Sequence, residues 1–197
     1  MNLPEEITIY KDGVCKKSTD FVWGRQIPDI VCDHLIEFWE NQHFLRVQPG
    51  QVYSQGDVQT DHEIKESMDC IVPHQISMPH IQDYLGELQG VLEDYIKEFP
   101  FCNTSRFQIV EPLSMQWYPK GGGFKEWHTE RLNALPGTAH RHLVFMTYLN
   151  DVPDGGTEWY HQDLYVPAKK GYTVIWPSDW THFHLSLIHI SEPTRQA

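Results

Sequence analysis

The sequence predicts a mostly β protein of the α+β class, with helices in the first half and an antiparallel sandwich or barrel in the second. Two observations predict this. Apolar residues recur at helical spacing in two stretches before residue 100, whereas the chain after residue 105 breaks into short aromatic and β-branched runs separated by Gly and Pro. The length of 197 residues, with 40% hydrophobic and 21% charged residues, suits one globular domain.

Two helices are predicted, over about residues 28–42 and 79–99. Pro28 suits the first turn of the first helix, and Pro100 ends the second. Each stretch carries an apolar stripe that indicates core packing, formed by Ile30, Val31, Leu35, Phe38 and Trp39 in the first and by Ile81, Leu85, Leu88, Leu92, Tyr95 and Phe99 in the second. The polar residues 46–75 between the helices predict strands and loops.

Short strands are predicted in the second half, with Gly and Pro turns such as Gly121-Gly-Gly123 and Gly155-Gly156 between them. Regularly spaced short strands are typical of sandwiches and barrels. The predicted strands are Phe107–Ile109, Met115–Tyr118, Leu143–Leu149, Tyr165–Val166 and Tyr172–Trp176.

Charge and cysteine usage exclude several classes of function. The 15 Lys and Arg against 27 Asp and Glu give a net charge of −12, which argues against nucleic acid and anionic membranes as partners. No apolar run approaches the roughly 18 residues of a membrane span, and the first residues lack a signal-peptide pattern, so we expect a cytoplasmic protein. The four cysteines form no C-x-x-C pair, which argues against a structural zinc site or a redox dithiol.

A His and a carboxylate two residues apart on a strand face the same side, so they can bind one metal ion. A distant second His completes a 2-His-1-carboxylate triad, which leaves positions open on Fe(II). The sequence has two such pairs, His128/Glu130 and His161/Asp163, close to the roughly 1.6 that this composition gives by chance. Context favours the first pair, because it follows a strand and a Gly-rich turn and leaves room for several strands before the distant second His of the triad.

Four segments, taken in order, resemble prolyl 4-hydroxylase-like 2-oxoglutarate/Fe(II) dioxygenases. That family has a Tyr-containing strand with a glycine turn and H-x-D, a strand with Tyr-Leu-Asn and Gly-Gly, a Pro-x-x-Gly strand and a strand with the distal His. A weaker likeness reaches Ile27–Ile36. The four segments here are Met115–Glu130, His142–Gly156, Val166–Pro177 and Trp180–His184.

The resemblance implies a double-stranded β-helix, or jelly roll, over residues 105–184. Helices within residues 25–100 support it, and residues 1–184 form a single domain. It also implies that His128, Glu130 and His184 are the metal ligands and catalytic residues. His182, two residues before His184 on the same strand face, is the alternative distal ligand.

Two further residues match positions that bind the co-substrate in the family, and a third, Arg195, lies one step out of register with such a position. Tyr118 and Tyr148 match tyrosines whose hydroxyls hold 2-oxoglutarate. Arg195 is the base nearest to the family's Arg or Lys, which lies about ten positions after the distal His. One departure is Glu130, where the family has Asp, because the extra methylene moves the carboxylate by about 1.5 Å.

The implied cofactors are Fe(II), the co-substrate 2-oxoglutarate, O2 and ascorbate. The implied reaction is hydroxylation of an unactivated C–H bond, with release of succinate and CO2. The substrate is a peptide or a small molecule, and a prolyl side chain is the family's usual target. Two alternatives are a non-catalytic jelly-roll binding module and a cupin-like metal enzyme that does not use 2-oxoglutarate.

The last residues, 185–197, form an atypical tail. Ser186–Arg195 resembles a peptide produced when sequencing-adapter DNA is translated, so we expect a non-native or truncated C-terminus. Since Pro193 cannot donate to a strand ladder, the sequence predicts that residues after His184 leave the sheet edge open beside the metal site.

Overall fold

The computed structural model describes residues 9–10, 20–54, 56–132, 136–187 and 194–196, with the backbone alone at residues 9–10, 54, 187 and 194–196. Within these ranges the chain is mostly β, with two long helices and several antiparallel sheets, as predicted. None of the described helices is long and apolar enough to cross a bilayer.

Both predicted helices are confirmed, as α1 at Asp29–Asn41 and α2 at Pro79–Glu98. Pro28 directly precedes α1 and Pro79 opens α2, where a missing backbone N–H breaks no helical hydrogen bond. Apart from Ile30, whose side chain is exposed, the predicted stripes face one core, to which α1 contributes Val31, Cys32, Leu35 and Phe38, and α2 contributes Ile81, Tyr84, Leu88, Val91 and Tyr95.

The strands are short, and each pairs antiparallel with its neighbours. The strands of the described residues are β1 Ile9–Tyr10, β2 Trp23–Gln26, β3 Val47–Pro49, β4 Val52–Ser54, β5 Asp57–Gln59, β6 Lys65–Glu66, β7 Met68–Val72, β8 Leu113–Tyr118, β9 Gly123–Phe124, β10 Leu143–Thr147, β11 Gly156–Trp159, β12 Leu164–Pro167, β13 Tyr172–Pro177, β14 His184–Leu187 and β15 Thr194–Gln196.

Three sheets carry most of these strands, in the orders β1-β12-β11-β14, β10-β13-β2 and β15-β8-β7-β3. The ribbons β4-β5 and β6-β9 complete the pairing. Strands β2 and β7 come from the first half of the chain and pair with β13 and β8 of the second half. The first half therefore supplies sheet strands as well as helices.

Strand β13 is buried on both faces, which fixes the order of the layers. Ile175 packs into the helical core, whereas Val174 and Trp176 pack into a second core with Trp159 and Leu164 of the β11–β12 sheet. Because alternate strand residues point to opposite faces, β10-β13-β2 lies between the helices and the β11–β12 sheet. The second core continues to His184, which lies 5.1 Å from the Trp176 ring.

The prediction of a strand at Phe107–Ile109 is wrong, because residues 107–110 have irregular backbone. Their apolar side chains pack nonetheless: Ile109 lies against the helical core, and the Phe107 ring lies 5.0 Å from that of His142. A short apolar segment that packs against a core has the same sequence pattern as a strand, even when no neighbouring strand pairs with its backbone.

The expectation of an open sheet edge directly after His184 is wrong for the residues described. Residues 184–187 pair with β11, and the backbone of residues 194–196 pairs with β8. Backbone pairing needs only free N–H and C=O groups, which most sequences supply. Residues 188–193, including Pro193, and residue 197 lie outside the described residues.

The burial of α1 predicts how two residues of this helix differ in their effect on stability. Leu35 is 1% exposed and Ile30 is 56% exposed. Leu35→Ala should lower the free energy of unfolding by about 2–5 kcal/mol, because it leaves a cavity in the core. Ile30→Ala should change it by less than about 0.5 kcal/mol. Urea unfolding followed by tryptophan fluorescence measures both, and equal losses would contradict this packing.

Candidate metal centre

His128 and His184 are held together by their backbones. The N–H of each donates to the C=O of the other, at 3.0 Å in both directions, which makes an isolated antiparallel bridge. Directly opposed residues in such a pair project side chains to the same face. The two imidazole rings consequently lie 4.3 Å apart between their centroids. His128 thus belongs to a bridge rather than to a longer strand, while His184 begins β14.

Each imidazole is oriented by a backbone carbonyl. Nδ1 of His128 lies 2.9 Å from the Glu126 carbonyl oxygen, and Nδ1 of His184 lies 2.9 Å from that of His182. A carbonyl only accepts hydrogen bonds, so the ring proton is on Nδ1 and the Nε2 lone pair is free. Metal-binding histidines are commonly oriented in this way.

The Glu130 carboxylate completes the group. Its Oε1 atom lies 3.5 Å from Nε2 of His128 and 3.6 Å from Nε2 of His184. Two ligands on one metal ion at typical bond lengths of about 2.1 Å lie roughly 3.0–3.5 Å apart. Oε1 is therefore spaced from both nitrogens almost as it would be around a shared ion, and all three ligand atoms lie within 4.8 Å of one another. Two imidazoles and one carboxylate form the donor set of a 2-His-1-carboxylate iron centre, so the residues fit Fe(II).

Arg141 fixes the other carboxylate oxygen of Glu130. Its Nη1 atom donates to Oε2 of Glu130 at 3.0 Å and to the Glu130 carbonyl oxygen at 2.8 Å. Its Nε and Nη2 atoms donate to the Glu111 carboxylate at 2.7 and 2.6 Å. This clamp leaves Oε1 facing the two histidines. The longer Glu side chain is thus anchored at its far end, which offsets the extra methylene relative to Asp.

The protonation states of the His128 imidazole and the Glu130 carboxyl favour metal binding. Burial lowers the pKa of His128, and the neighbouring Glu130 only partly opposes this. Burial alone would raise the pKa of Glu130, but the neighbouring His128 and His184 imidazoles outweigh burial and hold that pKa well below its ordinary value. At neutral pH the site therefore presents a neutral His128 and an ionised carboxylate, the forms that ligate metals.

The alternative candidates lie elsewhere. Nε2 of His182 is 2.9 Å from the Asp20 carbonyl oxygen, and its Nδ1 is 2.9 Å from Oγ1 of Thr181, so both ring nitrogens are engaged. His161 packs its ring against Trp180 and does not join the candidate metal group. Of the two distal candidates, the structure places His184, and not His182, with His128 and Glu130.

The two tyrosines are buried, and their hydroxyls are bonded within the protein. The Tyr118 hydroxyl donates to Oε1 of Gln116 at 2.7 Å, and that of Tyr148 donates to Oγ1 of Thr157 at 2.7 Å. Burial raises the pKa of both, and the charge of Glu130 adds to the rise at Tyr118. Both are neutral hydroxyls, and Tyr118 lies close enough to Glu130 to sense its charge.

The structure describes only the backbone of Arg195. In the β15–β8 register its Cα is opposite Trp117, while the partner of Tyr118 is Thr194. The co-substrate role of Arg195 stays a prediction.

Sequence reasoning missed the residues that surround the ligands. Phe124 stacks on His128, with centroids 3.5 Å apart and planes at 12°. Lys65 is buried, and its Nζ atom lies 5.8 Å from the centroid of the Phe124 ring and 2.8 Å from Oδ2 of Asp69. Arg141 was missed as well, and its only sequence signal is a basic residue two positions before a predicted strand. None of these contacts has a fixed sequence spacing from the ligands, so no motif identifies them.

Solved structures with the same fold include prolyl hydroxylases. A Pseudomonas putida prolyl-4-hydroxylase is 14% identical, with a TM-score of 0.62, over 91% of this chain and 90% of its own. A second similar structure is a Trichoplax adhaerens prolyl hydroxylase in complex with a hypoxia inducible factor oxygen degradation domain peptide fragment. It is 13% identical, with a TM-score of 0.66, over 91% of this chain and 82% of its own.

A third similar structure is the viral collagen prolyl hydroxylase of Paramecium Bursaria Chlorella virus-1 in its 2-oxoglutarate complex. It is 14% identical, with a TM-score of 0.59, over 93% of this chain and 96% of its own. No protein-family model and no curated protein sequence matches the chain. The chain therefore shares the fold of prolyl hydroxylases and 2-oxoglutarate/Fe(II) oxygenases at low sequence identity.

The geometry predicts which of the two neighbouring histidines binds metal. His184→Ala should weaken Mn2+ binding on the order of 100-fold or more, because loss of even an outer partner weakens metal sites by about 10–100-fold. His182→Gln should leave affinity within about threefold of wild type, since both its nitrogens are engaged elsewhere. Isothermal titration in O2-free buffer measures the affinities, and the reverse order would move the site to His182.

The Arg141 clamp predicts a weaker effect on the same measurement. Arg141→Met should lower Mn2+ affinity by about 10-fold, because Oε2 of Glu130 loses its donor and the carboxylate is no longer aimed at the histidines. Arg131→Met is the matched control, since Arg131 pairs with Asp179 instead. If both variants bind Mn2+ as tightly as wild type, the clamp does not position Glu130.

Proposed function

We propose that this protein is an Fe(II)- and 2-oxoglutarate-dependent dioxygenase built on a double-stranded β-helix. It hydroxylates an unactivated C–H bond and releases succinate and CO2. The observation that carries the proposal is the convergence of His128, Glu130 and His184, with both Nε2 lone pairs and one carboxylate oxygen free and nearly at metal-ligand spacing. The shared fold with prolyl hydroxylases supports it.

In this proposal His128, Glu130 and His184 hold Fe(II) and leave its remaining positions open. When bound, the iron together with 2-oxoglutarate and O2 supplies the oxidation of the C–H bond. The protein orients the ligands through the Nδ1 hydrogen bonds of the two histidines and the Arg141 clamp. These contacts fix the side-chain positions of the ligands, so the site needs little rearrangement to bind the ion.

Tyr118 is the best-placed residue to hold the co-substrate. Its hydroxyl is neutral, lies near Glu130 and, within the described residues, bonds to Gln116, a partner that has its own contact to Asp69 at 3.4 Å. A 2-oxoglutarate carboxylate can accept that hydroxyl proton in place of the Gln116 oxygen. Tyr148 and Arg195 complete the proposed co-substrate set, with Arg195 as the base for the far carboxylate.

Aromatic side chains shield the ligands from water. Phe124 covers the His128 ring, and Trp176 and Trp159 lie 5.1 and 6.2 Å from that of His184. Excluding water keeps the oxidising chemistry directed at the substrate. For the substrate we propose a prolyl side chain in a peptide, supported by the bound peptide of the Trichoplax adhaerens structure.

The proposal predicts that the protein makes succinate from 2-oxoglutarate when given Fe(II), ascorbate and O2, and that it consumes O2 in proportion to the succinate formed. His184→Ala should abolish succinate formation, whereas Tyr84→Phe, which removes a buried hydroxyl bonded to Thr147 in the other core, should retain it. Succinate is measured by chromatography and O2 by an electrode.

Tyr118→Phe separates the co-substrate role from general loss of activity. It should raise the 2-oxoglutarate concentration needed for half-maximal rate by about 10-fold, the effect of one lost hydrogen bond to a charged group. Metal binding without any succinate would support a binding module. A metal-dependent reaction that needs no 2-oxoglutarate would support a cupin-like enzyme.

A further inference from the structure

A second group of metal-ligand side chains lies on the two helices, away from the triad. His34 projects from α1, and His80 and Asp83 project from the first turns of α2. Residues three apart on a helix share a face, so His80 and Asp83 point the same way. One ligand atom of each residue lies within 4.8 Å of the others, and the two imidazole rings are 4.8 Å apart at 36°.

None of these three side chains has another polar partner. In the described part of the chain, their imidazole and carboxylate atoms form no hydrogen bond or ion pair, and Nδ1 of His80 is shielded from solvent without a partner. Leaving a buried polar nitrogen unsatisfied is unfavourable, so such atoms normally have a partner. By contrast, His128 and His184 each commit one nitrogen to a carbonyl.

The donor set suits a zinc-type ion. Two imidazoles and one carboxylate are common zinc ligands, and a water molecule completes a tetrahedral site. Ligand atoms around one zinc ion lie roughly 3.3–3.5 Å apart at bond lengths of about 2.0–2.2 Å. Since the ligand atoms lie within 4.8 Å of one another, the group has to close by at most roughly 1.5 Å, and the exposed Asp83 side chain can rotate inward. The acidic chain, at net charge −12, also attracts cations.

We propose that His34, His80 and Asp83 bind a zinc-type divalent ion that joins α1 to α2. The two helices share the core that covers one face of the β10-β13-β2 sheet. An ion bound only by the folded protein stabilises it by mass action. The site is separate from the triad, so it does not depend on the proposed oxygenase activity.

The experiment titrates Zn2+ into four variants and reads stoichiometry by calorimetry. Because zinc also binds 2-His-1-carboxylate sites, His184→Ala serves as the background in which only the helix site remains. That variant should bind one zinc ion, and the double variant His184→Ala/His80→Gln should bind none. The wild type should bind two and His80→Gln one. His43→Gln, an exposed histidine at the end of α1, is the matched control and should bind two.

A second readout follows the fold directly. At free Zn2+ near 100 times the dissociation constant, the melting temperature of His184→Ala should rise by about 5–10 °C, and this rise should vanish in the double variant. Succinate formation by His80→Gln should equal that of wild type. If His184→Ala and the double variant bind zinc equally, or if His80→Gln still binds two ions, the helix site does not exist.

Discussion

The reciprocal backbone hydrogen bonds between His128 and His184 are the contact on which the candidate centre depends. They join the loop after β9 to the first residue of β14, two segments 56 positions apart. Side chains on opposed residues of a bridge must share a face, so the backbone pairing itself places the imidazoles together. The pairing of β14 with β11 extends this constraint into the sheet and holds His184 against Trp159 and Trp176.

The negative charge of Glu130 is paired with the positive charge of Arg141, which also pairs with Glu111. Arg141 lies between the carboxylates of Glu130 and Glu111 and bonds both. A buried carboxylate without such partners would take up a proton, and a protonated carboxyl is a poor ligand. The clamp places a positive charge beside the carboxylate, and it selects which oxygen faces the histidines. The substitution of Glu for Asp alters the reach of the side chain but not the chemistry of the donor.

The layered architecture connects the helical core with the core beside the candidate metal centre. Strand β13 contributes Ile175 to the helical core and Trp176 to the core beside His184. Packing on either face of this strand consequently supports the other, because interiors are dense and transmit displacement. The helices carry their own proposed metal group on the far side of this sheet, where a link between α1 and α2 would strengthen the layer that covers β13.

The sequence by itself determined the elements that depend on local spacing. Apolar period and flanking Pro predicted both helices almost to the residue, and turn residues predicted the strand-rich second half. Ordered motifs indicated His128, Glu130 and His184, while leaving His182 open. The tertiary structure alone decided what depends on contacts between distant segments: which histidine faces Glu130, the Arg141 clamp, the pairing after His184, the irregular path of residues 107–110 and the meeting of His34 with His80. Local periodicity records which face of an element is apolar, but the partner of that face is set by chain folding, which leaves no fixed spacing in the sequence.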